Sequence, residues 1–477
     1  MKKLLAILLC ALMVAGLFVG CANNATPAPT EAAPAPETEA APAPETEAAP
    51  APETEAAPAP ETEAAGDKVT ITYSYWGTPE EAKDTQAILD KFNAENDHIF
   101  VELLAIPNEE YTTTLNAMAA GNQLPDCGIM NENGVLDFAA DGLLADVSAM
   151  YEGATSMPLD SITFKADGVP VAYSGANEAL FLYYNKDMFD AAGLEYPDPR
   201  TPMSWDEFVD TAKLLTLDAN GNNATSPDFD PNNIVQYGCN VDNWTWQLEV
   251  WALSNGGRWF SADGKECTIN TPEVAESIQK VADLYLVDHV AQYRDGLEDS
   301  GIQSTIAAGN VAMATGGAWN VGTCMNTVEF NYGVARLPVM KNEVTIVTGG
   351  PQVVFSQTQH LPEALEFIRW YSQIENNWGL VESGIWMPTL EEYYTNEELT
   401  HKWVDNPNFP PYDEYKAAVV DYTMEKSEST CWYYVPHTNE FLEYLRSQLG
   451  PVWTGDKTAA DALAEAEPHL QEIFKGE

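Results

Sequence analysis

The chain has 477 residues and carries 73 acidic against 22 basic side chains, a formal net charge of −51. Such a surface excludes ordinary nucleic-acid binding, which needs basic groups to displace phosphate counterions, and argues against a polybasic approach to anionic membranes. Hydrophobic residues make up 45% of the chain, too many for wholesale disorder, and the length exceeds what one core fills, so two lobes or domains are expected.

Lys2 and Lys3 precede an unbroken apolar run from Leu4 to Val19. At ~1.5 Å rise per residue this run is short for a ~30 Å hydrocarbon core, so residues 1–20 are predicted to be a signal peptide. Leu17-Phe18-Val19-Gly20-Cys21 resembles a bacterial lipobox. That resemblance implies diacylation of Cys21, which would anchor the chain on the extracellular face of the cell membrane. Residues 33–64 then repeat Ala-Pro-Ala-Pro-Glu-Thr-Glu-Ala four times. The repeat offers no large apolar side chain, and its prolines block helix and sheet pairing. Residues 21–66 therefore read as a lipid-anchored, Ala/Pro/Glu/Thr-rich disordered linker favouring polyproline II, with a reach on the order of 140 Å. Setting aside the two lysines and nine glutamates of these segments leaves −44 from Gly66 onward, so the acidity belongs to the folded part.

Five cysteines remain beyond Cys21: Cys127, Cys239, Cys267, Cys324 and Cys431. An odd set in a chain this large predicts mostly buried thiols, with room for one disulfide. The six histidines show no metal-ligand spacing, so neither a metal site nor a cofactor is expected.

From residue 67 strands and helices alternate. Residues 68–76 are β-branched and aromatic and stop at Gly77, and an amphipathic helix follows from Pro79 to Phe92. A strand over 98–106, a helix over 111–120 ending at Gly121, and a short strand over 124–130 complete two βαβ units. The fold class is α/β with a mainly parallel sheet, and ligands of such sheets bind beyond the carboxyl ends of the strands. That places Trp76 and the predicted loop Asn131-Glu132-Asn133 at the mouth of a site. Further on, Ser204-Trp205-Asp206-Glu207 predicts a helix start with a capping box, and Trp205 is assigned to packing.

Several segments in order carry a specific likeness. Gly168-Val-Pro-Val-Ala-Tyr173, Glu178-Ala-Leu-Phe-Leu-Tyr-Tyr-Asn-Lys186, Asp187-Met-Phe-Asp-Ala-Ala-Gly193 and Ser204-Trp-Asp-Glu-Phe208 resemble the central part of family 1 extracellular solute-binding proteins, the family of the maltose-binding protein. Gly309-Asn-Val-Ala-Met-Ala-Thr-Gly-Gly-Ala-Trp319, Pro362-Glu-Ala-Leu-Glu-Phe-Ile-Arg-Trp370 and Gly384-Ile-Trp-Met-Pro388 match its later motifs, and the likeness runs over nearly all of 67–477. The resemblance implies a two-lobed periplasmic-binding-protein-like fold of type II, with a hinge between the lobes. It divides the chain into a first lobe of 67–175 and 344–396 and a second of 176–343 and 397–477. Crossings are expected near Tyr173–Glu178, Val344 and Asn396.

A sugar needs aromatic plates for its C–H faces and polar groups for its hydroxyls. Of the thirteen tryptophans, Trp76, Trp244, Trp246, Trp319, Trp386 and Trp432 lie beside small or polar residues where loops are expected. Gly316-Gly317 next to Trp319 is read as room for a ligand or a backbone to approach. Glu178 aligns with a carboxylate that contacts sugar in the maltose-binding protein. Glu132 falls in a sugar-contacting loop where this chain has Asn131-Glu132 in place of the family's Asp-Arg pair. Asp242 and the pair Tyr433-Tyr434 are added as further candidates. The expected ligand site is thus Trp76, Asn131, Glu132, Glu178, Asp242, Trp244, Trp319 and Trp386. Asp218-Ala-Asn-Gly-Asn-Asn223 with Asp228 and Asp230 has calcium-loop composition but lacks the EF-hand spacing.

No nucleophile elbow, phosphate loop or dinucleotide fingerprint is present, so no catalytic residue is assigned. The resulting expectation is a monomeric, non-enzymatic, lipid-anchored receptor of an ABC importer, delivering a carbohydrate to membrane permease subunits. A secreted glycoside hydrolase, a receptor for a cation such as a polyamine, and a passive surface protein stay open beside it.

Overall fold

The computed structural model describes residues 68–76, 79–107, 110–152, 159, 162–241, 243–293 and 308–476. The signal peptide, Cys21, the repeat linker and Asp242 lie outside the described residues.

The first sheet takes the order Ile99–Ile106, Val69–Trp76, Cys127–Ile129, Pro351–Val354, Tyr173–Ser174. Its first three strands are parallel, and Pro351–Val354 runs antiparallel to both of its neighbours, Cys127–Ile129 and Tyr173–Ser174. Along Val69–Trp76 the alternating Ile71, Tyr73 and Tyr75 turn inward, where Phe92, Phe367 and Tyr371 meet them. The Tyr73 hydroxyl donates to Gln352 Oε1 at 2.8 Å, tying the strand to one that arrives far later in the chain.

The second sheet runs Met313–Gly317, Glu178–Asn185, Thr345–Thr348, Ser427–Ser429, and Tyr332–Ala335 also pairs with Glu178–Asn185. Glu178–Asn185 is buried along almost its whole length, as a strand flanked on both edges and both faces must be. Helices Trp205–Leu215, Leu248–Ser254, Pro272–Leu286, Thr438–Trp453 and Ala459–Lys475 pack around this sheet. Ser204 caps the first of them: its Oγ accepts from the Glu207 N–H, and the Glu207 carboxylate accepts from the Ser204 N–H.

Chain passes between the sheets at 175–177 and again at Gly349-Gly350. The strand before Gly349 belongs to the second sheet and the strand after Gly350 to the first, so this crossing lies beyond Val344, where it was expected. A Cβ on residue 349 would sit 2.5 Å from the Ala176 carbonyl oxygen, so the two crossing segments touch backbone to backbone. All five described cysteines are unpaired thiols.

Candidate functional site

Glu178 is the first residue of its strand, and its Oε2 accepts the Thr348 hydroxyl at 3.2 Å from the register partner across the crossing. Glu132 reaches the same place from the first sheet. It lies on a helix, Glu132–Ala140, and not on the loop expected from the sequence; Asn131 precedes it in extended backbone and donates its amide to Thr112 Oγ1 at 3.3 Å. The helix N-terminus and the Gly349 N–H both face the Glu132 carboxyl.

Part of each glutamate is accessible, yet the surrounding protein desolvates the carboxyls. Burial, reinforced by the charge of Glu178, pushes Glu132 up to about 8 against the pull of the backbone N–H groups. Burial pushes Glu178 up to about 7, and the Thr348 hydroxyl works against it. Tyr433 completes the group. Its ring stacks on Phe164 at 4.1 Å, and burial, then the charges of Glu132 and Glu178, push its hydroxyl far above the usual range. That hydroxyl closes no hydrogen bond of normal geometry. Sequence reasoning gave Tyr433 low weight and did not find Thr348 or Gly349; the small-residue run Thr348-Gly349-Gly350 was the available signal.

The helix bearing Glu132 is clasped to the segment bearing Tyr433. Asn133 Nδ2 donates to Asn439 Oδ1 at 2.7 Å, and the His437 N–H donates to Asp137 Oδ1 at 2.5 Å.

Four indoles cluster on the second-sheet side. Trp246 lies 5.4 Å from Trp244, 6.1 Å from Trp319 and 5.0 Å from Trp432, centroid to centroid. Trp246 lies in a turn, where a loop was expected, and Trp432 in the short turn of helix Cys431–Tyr433; both are buried, and neither indole N–H has an acceptor. Trp244 and Trp319 are half-buried and form the accessible layer above them. Asn320, beside Trp319, is buried with both amide atoms unpartnered. Unsatisfied polar atoms of this kind each cost about 1–3 kcal/mol unless something pairs with them.

Gly317 has a different role from the one expected. A Cβ there would fall 1.8 Å from the Trp319 ring, so the glycine makes room for that indole itself, not for a ligand. Trp76 ends the first strand and meets Tyr111 edge-on at 5.5 Å. Trp386 packs on the first-sheet core, and its ring would lie 3.9 Å from a Cβ at Gly350. The described candidates thus fall into three groups: Trp76, Asn131 and Trp386 on the first sheet, Trp244 and Trp319 on the second, and Glu132 and Glu178 at the crossing.

The calcium-like loop is closed on itself. Burial raises the Asp218 carboxyl, but the Asn222 side chain and the N–H groups of Asn222, Asp230 and Asn220 outweigh it and hold it at about 2. Among the described residues no cluster of His, Cys, Asp and Glu is arranged to hold a metal ion.

Comparison with known proteins adds to this geometry. A model of the bacterial extracellular solute-binding protein family matches residues 87–411. The sn-glycerol-3-phosphate-binding periplasmic protein UgpB of Agrobacterium fabrum is 26% identical over 302 residues, 61% of this chain and 62% of that protein. Its counterpart in Rhizobium meliloti is 26% identical over 326 residues, 62% of this chain and 70% of that one. The chain therefore spans somewhat under two thirds of the Agrobacterium protein. Among solved structures, an ABC substrate-binding protein from Listeria monocytogenes in complex with cycloalternan superposes with a TM-score of 0.71 at 23% identity, over 86% of this chain and 100% of that one. The cyclic alpha-maltosyl-1,6-maltose binding protein from Arthrobacter globiformis gives 0.68 at 21%, over 86% and 100%. The shared fold is the two-lobed one of periplasmic binding proteins.

Proposed function

Because the chain belongs to the bacterial extracellular solute-binding protein family, we propose that it captures a carbohydrate between its lobes and delivers it to the permease of an ABC importer. The observation that carries this reading is the meeting of Glu132, Glu178 and Tyr433 at the crossing, with half-buried tryptophans on either side. Carboxyls and a phenol accept and donate to hydroxyls, while indole faces cover C–H surface. The related proteins are named for sn-glycerol 3-phosphate, whereas the structural neighbours hold sugars. Here no lysine or arginine among the described residues is paired with the two carboxyls or Tyr433, which favours the sugar.

The first lobe comprises 67–175 with 350–396, and the second 176–349 with 397–477. Ligand contacts from both favour the closed arrangement. Trp76, Asn131, Glu132, Glu178, Trp244, Trp319 and Trp386 line the site, with Asp242 carried as a further contact. The receptor acts as a monomer without catalysis, held outside the cell membrane by lipid on Cys21 with residues 22–66 as tether.

A thermal-shift screen against oligosaccharides, sn-glycerol 3-phosphate and spermidine tests this. A ligand at 100 times its Kd adds about 2.7 kcal/mol of stability. Stabilisation by sugar, lost in Trp319→Ala, is expected; stabilisation by spermidine or glycerol phosphate alone would sink the proposal, and turnover of an oligosaccharide would point to a hydrolase.

A further inference from the structure

Glu249 is a buried carboxyl with no place in the ligand contacts described so far. It sits in the helix Leu248–Ser254 at 1% exposure. A carboxyl placed so deep needs specific partners to be tolerated. They come from a segment distant in sequence: the Cys431 N–H donates to Glu249 Oε2 at 3.1 Å, and the Cys431 thiol bonds to the same carboxyl.

Cys431 opens the single turn Cys431–Tyr433, whose leading N–H groups have no partner inside the turn. Glu249 supplies one acceptor from across the core. On its own side, the Glu249 N–H donates to the Trp246 carbonyl at 3.2 Å. One residue is therefore bonded to the segment that carries Trp246 and to the turn that carries Trp432 and Tyr433. The two indoles it joins are 5.0 Å apart. The charges around it are those of Arg258, which pulls it down, and Glu428, which pushes it up; burial outweighs both and leaves it at about 7. Arg258 and Glu428 are themselves ion-paired at 2.5 Å on the accessible side.

We infer that Glu249 is a positioning residue: by accepting the Cys431 N–H it locks the turn bearing Trp432 and Tyr433 against the Trp246 segment, and so sets the level of the indole layer and the place of the Tyr433 hydroxyl. Its task is to be an acceptor, which a glutamine can perform and a methionine of similar length cannot. The consequence for ligand rests on the carbohydrate reading; the geometric role does not.

The test uses Glu249→Gln, Glu249→Met and, as a reference, Trp432→Phe. Near-ultraviolet circular dichroism of wild type minus Trp432→Phe isolates the signal of that indole. Glu249→Gln keeps this signal and Glu249→Met loses it, although Glu249→Met removes a buried carboxyl and leaves no cavity. Retention of the signal in Glu249→Met, or its loss in both variants alike, overturns the inference. Hydrogen exchange of the wild-type protein needs no variant: the Cys431 amide is protected like the core of the helix Leu248–Ser254, and fast exchange there also overturns it. In calorimetry with maltotriose, Glu249→Met raises Kd about tenfold, a loss of about 1.4 kcal/mol, and Glu249→Gln does not. Wild-type protein that ignores maltotriose and every other sugar counts against the carbohydrate reading, and the dichroism and exchange results then decide the role of Glu249 alone.

Discussion

Glu132 and Glu178 approach one another from different sheets, the first at the head of a helix and the second at the head of a strand, with the Gly349 amide facing Glu132 and the Thr348 hydroxyl bonded to Glu178. Neither carboxyl is neutralised by a cation among the described residues. The pair is therefore held at the expense of its ionisation, and that dictates how the protein responds to pH.

Glu132 moves from an ordinary value of 4.5 to about 8 on folding. Its folded form binds the proton more tightly than its unfolded form, so its contribution is fully present below pH 4.5 and lost as pH rises through about 8. Glu132→Gln removes this dependence. Melting curves from pH 5 to 9 should show the variant gaining on wild type as pH rises, by on the order of 2 kcal/mol at the alkaline end. Parallel curves for the two proteins would contradict the placement of this carboxyl.

Gly317→Ala leaves every proposed ligand contact chemically intact. Its methyl would occupy the space of the Trp319 ring, 1.8 Å from the nearest ring carbon. The expected cost is about 1–3 kcal/mol of stability, together with displacement of the indole and loss of the sugar response. A variant that binds sugar like wild type would show that the position of the Trp319 ring is unimportant.

Arg336 is 3% exposed and bonds Glu343 at 2.6 Å, Glu425 at 3.0 Å and the Ala417 carbonyl at 3.2 Å, with its guanidinium 5.2 Å from the centre of the Tyr422 ring. Lysine cannot reproduce that fork. Arg336→Lys should lower unfolding stability by about 1–3 kcal/mol in urea titrations, without changing ligand affinity. An unchanged urea midpoint would contradict it.

Ser204→Ala removes the side-chain half of the capping box at the helix Trp205–Leu215: the Glu207 N–H loses its acceptor, while the backbone N–H at 204 still donates to the Glu207 carboxylate. About 1 kcal/mol of stability is expected to go, measured the same way, and Ser204→Asp should restore most of it. A stronger effect from Trp251→Ala, a fully buried side chain, provides the scale: about 3–5 kcal/mol.

What could be read from the sequence was whatever is decided within a few residues. The alternation of Val69–Trp76 and the Ser204/Glu207 box are local signals, and both elements form as those signals imply. Trp244 and Trp246 show the limit. They are two residues apart in one polar stretch, yet Trp246 is buried because Trp432 covers it, and nothing near either residue announces that partner. Asn131-Glu132 reads as loop because it follows the short strand over 124–130, while contacts to the 431–439 segment hold it as the start of a helix. The crossing at Gly349-Gly350 was displaced for the same reason: Thr345–Thr348 is a strand of the second sheet by virtue of its pairing with Glu178–Asn185 and Ser427–Ser429, which no local pattern records.

The strand order of the first sheet has a bearing on how the protein is made. Pro351–Val354 lies between Cys127–Ile129 and Tyr173–Ser174, so a chain emerging N-terminus first has both neighbours long before the strand that joins them. Until it arrives, Cys127–Ile129 is a raw edge with unpaired backbone groups. Closing so distant a pairing is slow, and the growing chain meanwhile needs protection from association through that edge. A fragment ending at residue 175 would keep the edge permanently, so this amino-terminal part is not a self-sufficient folding unit: its completion waits on the chain that follows.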